Sequence, residues 1–195
     1  MRIAVVLGST RPGRVGDRVC RFVMDRAGRV EDAEFAVLDL ADHPLPFFDE
    51  PLAPLADPAR RPSAPVRAWL EAMAAADGYV FLTPEYNHAP PAVLKNALDF
   101  LATEALGKPA SIVSYSTSAH GGASAGLQLR LALSKAGMLP LPKSLSLARA
   151  DRLLAPGGEL VERSGWASRV AEFVPVSLRD LVDHARALKP LRAGG

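Results

Sequence analysis

The chain is poor in the residues that build disulfide and metal sites. Its 195 residues include one cysteine and four histidines. A lone Cys20 excludes a disulfide framework within the chain and any multi-cysteine metal centre. His43, His88, His120 and His184 are scattered with no ligand spacing, so no metal is expected. Charge of one sign is scarce too. Lys and Arg number 23 against 21 Asp and Glu, a formal net charge of +2. That is too weak to point to nucleic acid or a membrane surface as partner. The early apolar run "IAVVLGS" is far too short to span a membrane and lacks a signal peptide's cleavage region, so a cytoplasmic protein is expected. No Gly-Lys-Ser/Thr closes a Walker A loop and no G-x-G-x-x-G is present, which argues against nucleoside-triphosphate and classical dinucleotide sites. No Gly-x-Ser-x-Gly elbow places a serine nucleophile either.

What is present is ordinary in amount. Hydrophobic residues make up 49% and charged residues 23%, enough for a core of normal size. The length suits one α/β domain over residues 1–195 better than two. Cys20 sits among Val19, Phe22 and Val23 and reads as a small buried hydrophobe.

Strand and helix patterns alternate along the chain. Arg2 to Gly8 is apolar and β-branched, the mark of a strand buried on both faces. Val15, Val19, Phe22, Val23 and Ala27 recur at helical spacing. Strands are expected again at Ala33 to Leu40, Gly78 to Thr83, Pro109 to Ser116 and Leu141 to Ala148. Helices are expected at Pro65 to Ala76, with Ser63 as N-cap, then at Pro91 to Leu106 and Ala123 to Ala136. Leu178, Leu181, Val182, Ala185 and Leu188 give a last amphipathic helix. This alternation predicts a parallel sheet with helices on both faces and right-handed crossovers. Two stretches stand outside it. His43 to Pro65 is proline-rich and reads as a surface excursion beside the site or at a subunit contact, and Ala155 to Leu160 reads as a turn.

Ligands of such sheets bind beyond the carboxyl ends of the strands. Three loops there have unusual composition. "GSTRPGRVGDR", Gly8 to Arg18, combines glycines, hydroxyls and arginines just before a helix N-terminus, which favours a phosphate. Arg11 is its stronger cation; Arg14 is a second candidate that could equally face water. "TPEYNHAPPAVLKNALDF", Thr83 to Phe100, opens with a proline-stiffened polar knot suited to the edge of a flat heteroaromatic ring. His88 is given no role there. "SYSTSAHGGASAG", Ser114 to Gly126, is rich in serine and glycine and allows a planar ligand near the backbone.

Together the three loops resemble those of the NADPH-dependent FMN reductase family, which includes quinone, chromate and azo-dye reductases. "GSTRPGR" is similar to the family's phosphate loop. "TPEYNHAPPAVLKNALD" is similar to its Pro-Glu-Tyr-Asn motif and the following Leu-Lys-Asn-Ala-Leu-Asp helix. "SYSTSAHGG" is similar to its glycine-rich third loop. The likeness runs from about Ile3 to Leu147. It implies a flavodoxin-like three-layer sandwich with a five-stranded parallel sheet in the order 2-1-3-4-5. It implies FMN, NADPH as cosubstrate, a small-molecule electron acceptor, and homodimers or homotetramers. By the resemblance Ser9, Arg11, Val15 and Gly16, with Arg14 beside them, hold the FMN phosphate. Pro84, Glu85, Tyr86 and Asn87 border the isoalloxazine, and Ser116, Thr117 and Gly121 line its pyrimidine side. Lys95, Asn96 and Asp99 serve structure or subunit contact. The third loop departs from the family's usual Ser-Tyr-Gly and nearby Arg: Ser116 replaces the glycine, and Ser124 stands near the arginine's place.

The expected activity is hydride transfer from NADPH through FMN to quinones, flavins or similar acceptors, with ping-pong kinetics and no protein acid or base. Two other readings stay open. One is a flavodoxin-like electron carrier that binds FMN without oxidising NADPH, against which the slightly basic charge argues mildly. The other is a cofactor-free structural or regulatory member of the same fold.

Overall fold

The first apolar run forms a central strand. In the computed structural model, which describes residues 1–162 and 165–193, β1 (Arg2–Leu7) is buried from Ile3 onward. It pairs in parallel with β2 (Glu34–Asp39) on one side and β3 (Gly78–Pro84) on the other. β3 pairs in parallel with β4 (Pro109–Tyr115), and both are buried along their whole length. The sheet order is β2-β1-β3-β4-β5, the order the resemblance implies. Successive residues of a strand face opposite sides, so one strand serves two cores. Ile3, Val5 and Leu7 pack with Val19, Phe22 and Val23 of α1 (Gly16–Ala27), and with later residues including Val170, Val174, Leu178 and Leu181. Ala4 and Val6 face Trp69 and Met73 of α2 (Ala64–Ala75), Leu94 and Ala97 of α3 (Ala92–Asp99), and Leu129 and Leu133 of α4 (Ala123–Lys135). Cys20 is buried in the first cluster, and burial pushes its thiol up to about 11.

Three elements differ from the sequence expectation. The fifth strand position is split: β5 (Leu139–Pro140) pairs with the start of β4, and β6 (Leu145–Leu147) with its end. Pro142 cannot donate to a ladder, and Arg130 of α4 fills the break by donating to the carbonyls of Pro140, Leu141 and Pro142. The helix expected to reach Leu106 ends at Asp99. Here side chains take the carbonyls a longer helix would use. The Trp69 indole N–H donates to Ala97 at 2.9 Å, and Arg60 donates to Phe100 at 2.7 Å. The last helix starts earlier than its clearest apolar stripe. After α5 (Ala150–Leu153), α6 (Trp166–Ala193) spans 28 residues and contains Pro175 and Pro190.

The expected turn is present: Ala155 and Glu159 close it, with a bridge between Leu154 and Leu160. The proline-rich excursion is tied to α3 by one side chain. Asn96 donates to Pro46 O at 2.7 Å and accepts from the Phe48 N–H at 2.8 Å. Its motif neighbours Lys95 and Asp99 pair with each other at 2.6 Å. No described helix is long and apolar enough to cross a membrane.

Candidate functional site

The carboxyl ends of β1, β3 and β4 bring the three loops to one edge. The first leaves β1 tightly. Gly8 N–H donates to Leu82 O at 2.9 Å, and a Cβ at Gly8 would lie 2.8 Å from that same carbonyl. Only glycine permits this approach. Ser9 is buried, its Oγ 2.8 Å from the Tyr86 hydroxyl, which links the first loop to the second. α1 has no side-chain cap. Arg18 and Val19 both return to the Val15 carbonyl, so the N–H groups of Gly16 and Asp17 have no intrahelical partner. They point their dipole end at the loop.

Arg14 does not face water. Its guanidinium donates to both carboxylate oxygens of Asp39, to Asp17 at 2.8 Å and to the Ser9 carbonyl. These bonds, led by Asp39, hold it even more firmly protonated than usual. In return, burial raises the Asp39 carboxyl but is outweighed by Arg14 and the Ala41 N–H, and the net value falls below 3.8. Arg14 thus fastens the loop to the end of β2. Arg11 is exposed and makes no ion pair among the described residues, which leaves it as the loop's uncommitted cation.

The second loop is a two-residue hairpin. Tyr86 and Ala89 exchange backbone hydrogen bonds of 2.9 and 3.0 Å. Between them Asn87 and His88 hold φ of 51° and 65°, left-handed geometry that asparagine tolerates. Pro84, expected just past the strand, is its last paired residue, opposite Tyr115. Glu85 reaches away from its own loop: Oε2 accepts the Ala125 N–H of α4 at 3.1 Å. His88 meets Ser124 Oγ at 3.3 Å.

The third loop is shaped by Gly121 and Gly122, with φ of 61° and 77°. A Cβ on Gly121 would come within 2.8 Å of the Ser146 and Ala148 backbone, and one on Gly122 within 2.9 Å of the Tyr115 carbonyl. Ser116 Oγ accepts from the Ser118 N–H, and the backbone of Ser116 and Ser118 is pinned to residues Leu147 to Ala150. Thr117 is exposed beside it.

A cleft of about 320 Å³ lies where the loops meet. Of the expected site residues, Arg11, Arg14, Val15, Pro84, Glu85, Tyr86, Ser116 and Thr117 line it. Ser9, Gly16, Asn87 and Gly121 do not line it but belong to the same three loops. Three further lining residues carry no site role in the sequence reading: Pro12 and Gly13 of the first loop, and Tyr115, whose signal is its place at the carboxyl end of β4. A larger cavity, about 510 Å³, sits on the flank of α1 and α6 and shares no lining residue with this cleft.

Known proteins resemble this chain over most of its length. The model of the NADPH-dependent FMN reductase family matches residues 1–152. An NAD(P)H-dependent FMN reductase of Schizosaccharomyces pombe is 40% identical over 129 residues, covering 66% of this chain and 64% of that protein. The chain therefore spans a little under two thirds of that relative's length. A quinone reductase of Pseudomonas putida is 28% identical over 187 residues, covering 90% of this chain and 95% of the relative. Among solved structures, the flavoenzyme NAD(P)H:(acceptor) oxidoreductase FerB from Paracoccus denitrificans superposes with a TM-score of 0.74 at 24% identity, over 96% of this chain and 98% of that one. The family match runs from β1 through all three loops of the cleft into α5, and the chain belongs to the NADPH-dependent FMN reductase family.

Proposed function

We propose that the protein is an NAD(P)H-dependent, FMN-containing oxidoreductase that delivers hydride from NADPH to quinones, flavins or similar small acceptors. The observation that carries this reading is the cleft itself, walled by all three loops at the carboxyl ends of β1, β3 and β4. Its residues fit a flavin mononucleotide. The N–H groups of Gly16 and Asp17, which have no partner among the described residues, the positive end of α1 and the uncommitted Arg11 suit a phosphate dianion. Arg14 keeps that loop in shape rather than offering its own charge. Ser9 and Tyr86 brace the first loop against the second. Pro84, Glu85 and Tyr86 form a stiff border for a flat ring, and Ser116 and Thr117 present small groups beside it. FMN, when bound there, supplies the hydride-accepting ring. The protein's part is to bind, orient and leave one face open. One open face serves donor and acceptor in turn, which supports ping-pong kinetics.

The names of the Schizosaccharomyces and Pseudomonas relatives support the same assignment. Leu127 and Leu131, one turn apart on α4 and both more than half exposed, suit a homodimer or homotetramer. The cytoplasm is the compartment we assign. The test is direct. Purified protein is titrated with FMN by fluorescence quenching, then given NADPH with and without a quinone. FMN binding and quinone-dependent NADPH consumption with parallel double-reciprocal lines are expected. An FMN complex that neither NADPH nor NADH reduces would instead identify an electron carrier, and no FMN binding would refute the assignment.

A further inference from the structure

We infer that Glu85 is a charge-balancing, positioning residue: it ties the second loop to the N-terminus of α4 and sets the reduction potential of a flavin held in the cleft. The inference rests on the FMN reading above. Glu85 is the only acid among the cleft's lining residues. Its side chain is 12% exposed, so its charge is poorly screened. α4 has no side-chain cap of its own sequence, and Glu85 supplies one from 40 residues away, accepting from Ala125 at 3.1 Å. The other carboxylate oxygen lies 3.6 Å from His88 Nδ1. That same nitrogen is 3.3 Å from Ser124 Oγ, and Gln128 donates to the His88 carbonyl at 2.7 Å. Glu85 is therefore the hub between the two loops that border the ring's place.

The electrostatic consequence follows from the helix it caps. An uncapped α4 would direct about half a positive charge toward the third loop. A carboxylate at that terminus cancels it. When a hydride leaves the nicotinamide, the donor becomes a cation and the accepting ring gains one negative charge, with no proton required. A fixed carboxylate in the wall opposes that charge and removes the dipole that would favour it. Glu85 thus keeps the potential low, which favours passing the hydride on.

Glu85→Gln tests this, because it keeps an oxygen for the Ala125 N–H and removes only the charge. With FMN bound, dye equilibration at neutral pH should show a positive shift of the midpoint potential. The reduced ring should be held about tenfold more tightly relative to the oxidised one, a shift of about 30 mV for a two-electron couple. Glu85→Asp, which keeps the charge, should stay near the wild type. Glu85→Ala should show the positive shift together with a lower Tm, because it loses the cap as well. An unchanged potential in Glu85→Gln, or equal shifts in the Gln and Asp variants, would overturn the inference while leaving the FMN assignment standing. Wild-type protein that binds no FMN would overturn both.

Discussion

Tyr115 ends β4 with its hydroxyl enclosed and without a hydrogen-bond partner among the described residues, against Gly16 at the start of α1. Burial raises its ionisation well above the usual tyrosine range. A methyl group on Gly16 would lie 2.4 Å from that hydroxyl and 2.9 Å from a Leu7 methyl. Overpacking of this kind costs about 2 kcal/mol, the loss expected for Gly16→Ala in urea unfolding. Tyr115→Phe removes a desolvated hydroxyl that gains no bond, so its stability should lie within about 1 kcal/mol of the parent. The double variant should recover part of the Gly16→Ala loss, because the atom in the way is gone. Strict additivity would show that the hydroxyl is not what confines position 16. Nothing in the local sequence signals this contact, since 99 residues separate the pair by their numbering. Arg14 is illegible for a like reason. Its pattern in "RPGR" suits a phosphate or water equally, and only the fold brings Asp39 to it.

Elements were legible where a local pattern governs them and illegible where a distant side chain intervenes. β1 and β3 are largely apolar runs buried on both faces, and β4 is β-branched and apolar around two buried serines, so each announces itself. The loops that follow them were placed correctly on one edge because the sheet is parallel. The apolar pattern runs past the end of α3, where Trp69 and Arg60 claim the Ala97 and Phe100 carbonyls from other segments. The fifth strand looks unbroken in sequence because its break is held open by Arg130, again from another element. Arg130 donates to Pro140 at 3.1 Å and to Leu141 at 2.7 Å. Arg130→Met keeps the aliphatic stem and should cost roughly 2 kcal/mol, the scale of charge-assisted bonds to carbonyls. Amide exchange should localise the damage. The Leu141 N–H, which donates to Ala110 O at 2.8 Å, should exchange faster, while the Ser116 N–H on Leu147 O should not. Equal acceleration at both would show that the break is not held by this residue. Glu85 belongs to the same lesson: the motif marks it as part of a loop, but its partner Ala125 is known only from the fold.

Across the whole molecule, one buried cation, one buried thiol and two buried phenols among the described residues set the alkaline stability. Lys108, 8% exposed, donates to the Met73 and Ala74 carbonyls at the end of α2. Burial, helped by nearby Arg192 and opposed by Asp77 and Glu104, lowers it from 10.5 to about 8. Below pH 8 both folded and unfolded chains hold that proton, and the full cost of burying the charge is present. Between about 8 and 10.5 the folded chain has released the proton and the unfolded chain has not. The unfolded state then binds more protons, so stability rises with pH. Tyr79 and Tyr115 act oppositely. Burial raises both phenols above their ordinary 10.0, and the Cys20 thiol from 9.0 to about 11, so above those ordinary values only the unfolded chain ionises and stability falls. Urea midpoints should therefore climb from pH 7 to 9 and drop by pH 11. Lys108→Met carries no proton at this position in either state, so it should flatten the climb and keep the drop. A wild-type profile that is flat between pH 7 and 9, or a climb that survives in Lys108→Met, would show that Lys108 does not bear this cost.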